Sequence, residues 1–187
     1  MTAQAEAASS LISARRYEDA LRVALQGLST SPDDYELHCL VAQACLAMRQ
    51  PKDALAAADR AVGLAPHNEW PHRLRSIALR TMERAAEACD SAREAVRLAP
   101  TAAAPRRNLC DAYLASNQVD RAFAEAAETV RLEPDSARSH EAMGRCLLGR
   151  MQFKDAEASF RRALEIEPTL AQAHHNLGRA LQGQGLA

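Results

Sequence analysis

Aromatic residues are scarce in this 187-residue chain: one Trp, three Tyr and three Phe, 4% in all. Any core must be built from Ala, Leu and Val, and residues that favour strands are few. Lysine is nearly missing, with only Lys52 and Lys154, so the 23 basic side chains are almost all arginine. Against 24 acidic residues they leave a net charge of −1. That balance removes any bulk electrostatic reason to expect nucleic acid or an anionic membrane as partner. Alanine richness with Arg in place of Lys fits a GC-rich bacterial genome. No apolar run approaches the ~18 residues a membrane span needs, and no charged-then-apolar leader opens the chain. The expected location is the cytoplasm. Cys39, Cys45, Cys89, Cys110 and Cys146 are odd in number and form no CxxC pair. This excludes a disulfide framework and makes them small buried hydrophobes. HExxH, Walker-A and GxSxG patterns are also missing. Gly144 and Gly149 are spaced like the start of a phosphate loop, but Arg150 and Met151 follow them. No catalysis, cofactor, metal or small-molecule substrate is expected.

What the chain does have is a period. Pro32, Pro66, Pro100, Pro134 and Pro168 stand 34 residues apart. Twelve residues before each is an alanine (Ala20, Ala54, Ala88, Ala122, Ala156), and five before each is a small residue (Gly27, Ala61, Ala95, Thr129, Ala163). The next column is aliphatic: Leu28, Val62, Val96, Val130 and Leu164. No insertion interrupts the register, which is the signature of a repeat architecture.

Within each unit apolar residues recur at helical spacing, as in Leu37, Val41, Cys45 and Met48. Acidic residues open the second helix of each pair (Glu18 and Asp19, Asp53, Glu87, Asp120, Asp155), where they complement the helix dipole. Arg97 and Arg131 sit near helix C-termini, the favourable place for cations. The periodic prolines stop each second helix, whereas Pro71 and Pro105 fall in a first turn where a missing N–H is harmless.

At these columns the chain resembles the tetratricopeptide repeat family. The best copy carries His140, Met143, Gly144, Leu147, Phe153, Ala156, Phe160, Ala163 and Pro168. The resemblance implies an all-α fold, a right-handed α-α superhelix of antiparallel helix pairs. It implies repeats at 1–34, 35–68, 69–102, 103–136 and 137–170. Residues 171–187 then form the first helix of a sixth, either a terminal cap or the beginning of more chain.

Some columns depart from the family pattern. The usual bulky residue is Ala24, Ala58, Ala92 and Ala126, with only Phe160 conforming. Arg75 occupies an otherwise apolar column (Val41, Leu109, Met143, Leu177), so the third repeat is expected to be the most irregular. Arg15, Arg49, Glu83, Asn117 and Met151 replace the glycine usual between the paired helices, which leaves that turn undefined. His38, His72, His140 and His174 share one column. Equivalent positions in successive repeats lie roughly 10 Å apart, so these form a ladder of half-buried packing residues and not a metal cage.

The resemblance implies a binding role for the outward stripe of each first helix, on a concave groove. That stripe presents Trp70, Arg73, Ile77 and Arg80 in the third repeat, and Arg107, Asn108 and Asp111 in the fourth. It continues through Arg138, Glu141 and Arg145 to His175, Asn176 and Arg179. In the first two repeats it reads Ala5, Ile12, Cys39, Leu40, Gln43 and Leu46, so the groove is expected to run from apolar to arginine-rich. Trp70 is either a binding anchor or the seal of a repeat junction.

Arginine forks suit carboxylates. Arg73, Asn108 and Arg138 match three columns with which some family members clamp a C-terminal carboxylate, while Ile77 and Ala142 break that match. The arginines otherwise form a solvated face paired to Asp111 and Glu141, or they meet an acidic or mixed peptide. The expected function is a protein interaction scaffold, its partner a protein or peptide with acidic and apolar residues. Self-association through the C-terminal helix is a further expectation. The alternatives are a recruiting module of a larger enzyme or membrane protein, and a nucleic-acid-associated solenoid. Reversing Arg107 and Arg138 to Glu is expected to abolish partner capture.

Overall fold

The structure is a computed structural model that describes residues 2–185. Positions 1, 186 and 187, at the outer ends of the first and last expected repeats, lie outside the described residues. Two compact units divide the chain after Leu98. The first holds α1 (Ala3–Ser13), α2 (Tyr17–Thr30), α3 (Tyr35–Ala47), α4 (Pro51–Leu64), α5 (Glu69–Thr81) and α6 (Ala85–Leu98). The second holds α7 (Ala103–Ala115), α8 (Val119–Leu132), α9 (Ala137–Gly149), α10 (Phe153–Ile166) and α11 (Ala171–Gly183). Among the described residues there is no strand.

Both units obey one packing rule. Odd-numbered helices are the first of each antiparallel pair and even-numbered helices the second. Within a unit, each second helix packs on its own partner and on the next first helix. First helices of one unit also touch in sequence: α1 with α3 and α3 with α5, then α7 with α9 and α9 with α11. They therefore form a layer of their own in each unit, with one face turned away from the second helices.

The turn inside each pair has one geometry. Arg15, Arg49, Glu83, Asn117 and Met151 all take a left-handed backbone, with φ between 59° and 61°. The residue after each donates its N–H five residues back: Arg16 to Leu11, Gln50 to Cys45, Arg84 to Leu79, Gln118 to Tyr113 and Gln152 to Leu147. This is the Schellman closure, which satisfies carbonyls left open at a helix end. The family's glycine serves the same φ without a Cβ penalty, and here ordinary side chains bear it.

Helix starts differ between the units. Thr2, Asp34 and Asn68 cap α1, α3 and α5 with side-chain oxygens. Ala102, Ser136 and Leu170 precede α7, α9 and α11 and make no side-chain cap bond. The histidine column supplies another link. His38, His72, His140 and His174 each place Nε2 2.7–2.9 Å from the carbonyl of the periodic proline six residues earlier. Arg106 takes the same place on the Pro100 carbonyl with its Nε and Nη2. These rings tie the start of a first helix to the linker before it, a role more specific than packing.

The small columns let helices approach. Ala20, Ala54, Ala88, Ala122 and Ala156 are all buried, as are the alanines standing where Phe160 conforms. Phe160, Leu37 and Leu79 are the largest fully buried side chains, each contributing about 1.5–3 kcal/mol through burial. Arg75 does not disorder its repeat. It donates Nε to Asp59 of α4 at 2.6 Å and Nη1 to Ser91 of α6 at 2.6 Å, bridging both second helices that flank α5. α5 and α6 have the same lengths as α3 and α4.

Candidate functional site

Residues three or four apart on a helix share a face, so each first helix can present a stripe. In the first unit the expected apolar stripe is largely inaccessible. Ala5, Cys39 and Leu40 are buried in that unit's core, and burial pushes the Cys39 thiol up to about 12. The part of the expectation that made these residues an apolar docking surface is therefore corrected. The α1 and α3 stripe turns them inward because it packs α1, α3 and α5 against one another. Trp70 is half-buried and packs on the same cluster, and its backbone N–H donates to Asn68 Oδ1. Arg73 pairs with Glu69 one turn back at 3.1 Å, while Ile77 and Arg80 are half-buried further along α5.

The second unit carries a connected polar relay across three first helices. Arg145 of α9 donates Nη2 to Asp111 of α7 at 2.6 Å and sits 3.5 Å from Glu141, one turn earlier on its own helix. Asn176 of α11 donates Nδ2 to Glu141 at 3.2 Å and accepts from Arg179 at 3.3 Å. The sequence placed Asp111, Glu141, Arg145 and Arg179 on one stripe, and the structure brings all four together. Glu141 is only 8% exposed. Burial raises its pKa above the usual glutamate range, and the neighbouring Arg145 offsets this only in part. Burial disfavours the Arg145 charge, but Asp111 and Glu141 outweigh it and hold that guanidinium firmly protonated.

The other stripe residues stand apart from the relay. Arg107 reaches Glu133 at 2.6 Å, Asn108 is buried, and Arg138 is exposed at the first turn of α9.

Beside the relay lies a cleft of about 490 Å³, lined by Leu114, Leu148, Gly149, Gln172, His175 and Asn176 together with Arg145 and Arg179. That volume falls in the range of sites that hold small ligands or peptide side chains. Among the described residues two guanidinium groups line it and no carboxylate does, while Asp111 and Glu141 hold Arg145 through its ion pairs. Sequence reading missed Leu114, Leu148, Gly149 and Gln172. Leu114 and Leu148 continue the column that supplied Leu46 and Arg80, so that column contained the signal.

Among the described residues, no group of three or more His, Cys, Asp or Glu could hold a metal ion, and no helix is long and apolar enough to cross a membrane. The five cysteines are buried and none forms a disulfide. Cys110 and Cys146 hold their Sγ atoms 3.3 Å apart, and this contact together with burial raises the Cys110 thiol pKa far above the ordinary value.

The sequence model described as tetratricopeptide repeat matches residues 6–69 and 107–171. No curated protein matches the chain. Among solved structures, TTC0263, a thermophilic TPR protein of Thermus thermophilus, superposes with a TM-score of 0.85 at 21% identity, covering 96% of this chain and 97% of that one. YrrB, a TPR protein with an unusual peptide-binding site, gives 0.65 at 17% identity over 92% and 89% of the two chains. Human IFIT1, a dimer with m7Gppp-AAAA, gives 0.84 at 21% identity over 98% of this chain and 47% of its own. At these identities the likeness is one of fold.

Proposed function

We propose, from the premise that the chain belongs to the tetratricopeptide repeat family, that it is a non-catalytic interaction scaffold that holds a segment of another protein against the first-helix face of its second unit. The observation that carries this reading is the cleft flanking α9 and α11, where Arg145 and Arg179 share the lining with Leu114 and Leu148 and no carboxylate is present. Apolar contact supplies affinity at such a surface, while fixed charges supply orientation and on-rate. A cation held by two acidic partners is already ordered, so less rotamer entropy is lost when it meets a ligand.

The test is comparative affinity capture from lysate, with bound proteins identified by mass spectrometry. Arg179→Glu combined with Arg138→Glu reverses two exposed charges of the face without touching Arg107, which Glu133 already holds. Loss of proteins that wild type retains, with unchanged circular dichroism, is the expected result. Equal capture by both proteins contradicts this placement of the site.

A further inference from the structure

The arrangement of charge and apolar surface in the cleft narrows what it can accept. Arg145 is gripped by Asp111 on one side and Glu141 on the other, and Arg179 is steered by Asn176, which Glu141 in turn anchors. The two guanidinium groups thus belong to one relay running through α7, α9 and α11, with Glu141 at its centre. Asp111 and Glu141 are not among its lining residues, so the charged groups of the wall are two guanidiniums, beside the Gln172 and Asn176 amides and the His175 ring. Leu114 and Leu148 come from the α7 and α9 stripes, and Gly149 also lines the cleft. A basic ligand meets only like charge here. A purely apolar one leaves the N–H groups that the relay does not engage without acceptors, which is costly once water is displaced.

We infer that this cleft recognises an acidic side chain next to an apolar one on an extended partner segment, in the pattern Asp/Glu-x-Leu, where Leu stands for any aliphatic residue. Alternate residues of an extended chain point the same way and lie ~7 Å apart. That spacing suits helices packed roughly 8–10 Å apart, with the carboxylate toward Arg179 and Arg145 and the aliphatic group on Leu114 and Leu148. The recognised carboxylate is a side chain within a segment and not a chain terminus. The columns that match a terminal clamp, at Arg73, Asn108 and Arg138, contribute nothing to this lining. Glu141 acts as a positioning residue: it touches Arg145 directly and reaches Arg179 through Asn176, and it does not touch the ligand. The inference rests on the reading that the first-helix face of the second unit is the docking surface, and it adds the register of the bound segment.

The test titrates the full-length, 15N-labelled protein with the capped peptide acetyl-Gly-Glu-Ser-Leu-Gly-amide, which has no free carboxyl terminus. Saturable shifts are expected at the amides of Leu148, Gly149, Asn176 and Arg179, including the Asn176 side chain. Peptides with Gln for Glu, or Ser for Leu, are expected to bind about tenfold more weakly each, and one with Lys for Glu to show no shifts there. Arg179→Ala, on an exposed side chain, is expected to abolish the preference for Glu over Gln. Arg145→Lys keeps the charge but loses the fork, and is expected to weaken binding in a folded protein. Equal affinity for the Glu, Gln and Lys peptides at this cleft overturns the inference while leaving the docking face intact. Shifts confined to other residues, or none at peptide saturation, overturn it as well, and lysate capture then judges the docking face separately.

Discussion

The ring of Phe160 lies directly over Gly144: a Cβ built on Gly144 would stand 2.6 Å from the Phe160 Cε1. Both belong to repeat columns. Where the second column holds alanine, the first is larger: Ala42 with Ala58, Ser76 with Ala92, Cys110 with Ala126. In the other copies a larger residue in the Gly144 column takes up part of the volume that Phe160 fills in this one.

Gly144→Ala is therefore expected to destabilise the protein by about 1–3 kcal/mol through overpacking, and Phe160→Ala by about 3–5 kcal/mol through a cavity. The double variant recreates the alanine pair that Ala42 and Ala58 already form. Its loss should be clearly smaller than the sum of the two single losses. A double-mutant cycle in urea measures this, and additive losses would remove the compensation argument.

The five left-handed turns carry a cost that glycine would relieve. Met151→Gly, at an exposed side chain, is expected to stabilise the protein by about 1 kcal/mol. Asn117→Gly should gain least, because asparagine tolerates this backbone region. Thermal melts of the two variants check the order, and a loss of stability at Met151 would contradict the strain.

Asp34 accepts from the backbone N–H groups of Glu36 and Leu37 at 2.9 and 3.2 Å. Asp34→Ala is expected to cost about 1 kcal/mol, and Ala102→Asp, which supplies a cap where none exists, to gain a similar amount. Paired urea melts should move in opposite directions.

Much of this molecule can be read in the sequence, because a 34-residue proline period and small-residue columns are local signals. The turns at Arg15, Arg49, Glu83 and Met151 could not, since none of these residues favours a left-handed backbone, and only Asn117 among the five tolerates it. The histidine column was visible, but its partner was not: the Pro carbonyl six residues back is reached only once the linker has folded. Glu141 reads as a stripe residue on a helical wheel. Its burial depends on Asn176 being laid over it by α11, and on Arg145 lying alongside. Cys39 and Leu40 failed as surface residues for a related reason, because a stripe facing away from the second helices can still be closed by neighbouring first helices.

Glu141 also yields a pH prediction. A carboxyl whose pKa is raised by folding binds its proton more tightly folded than unfolded. Stability then falls as pH rises from the ordinary glutamate value through the raised one. Glu141→Gln removes this loss. Its stability relative to wild type is expected to rise as pH increases from the ordinary glutamate value, about pH 4, and to level off above the raised one, while the Glu-containing peptide binds it less tightly because Arg145 and Asn176 lose their anchor. A difference that stays flat with pH contradicts the burial argument.

The central claim, that a partner segment lies on the first-helix face of the second unit, is tested most directly by site-specific photocrosslinking. A benzophenone amino acid is placed at Gln172 in the cleft wall and, as control, at Arg161 on α10. The account predicts a covalent adduct with the captured partner from position 172 and none from position 161. Adducts from position 161 alone, or equal yields from both, would contradict it.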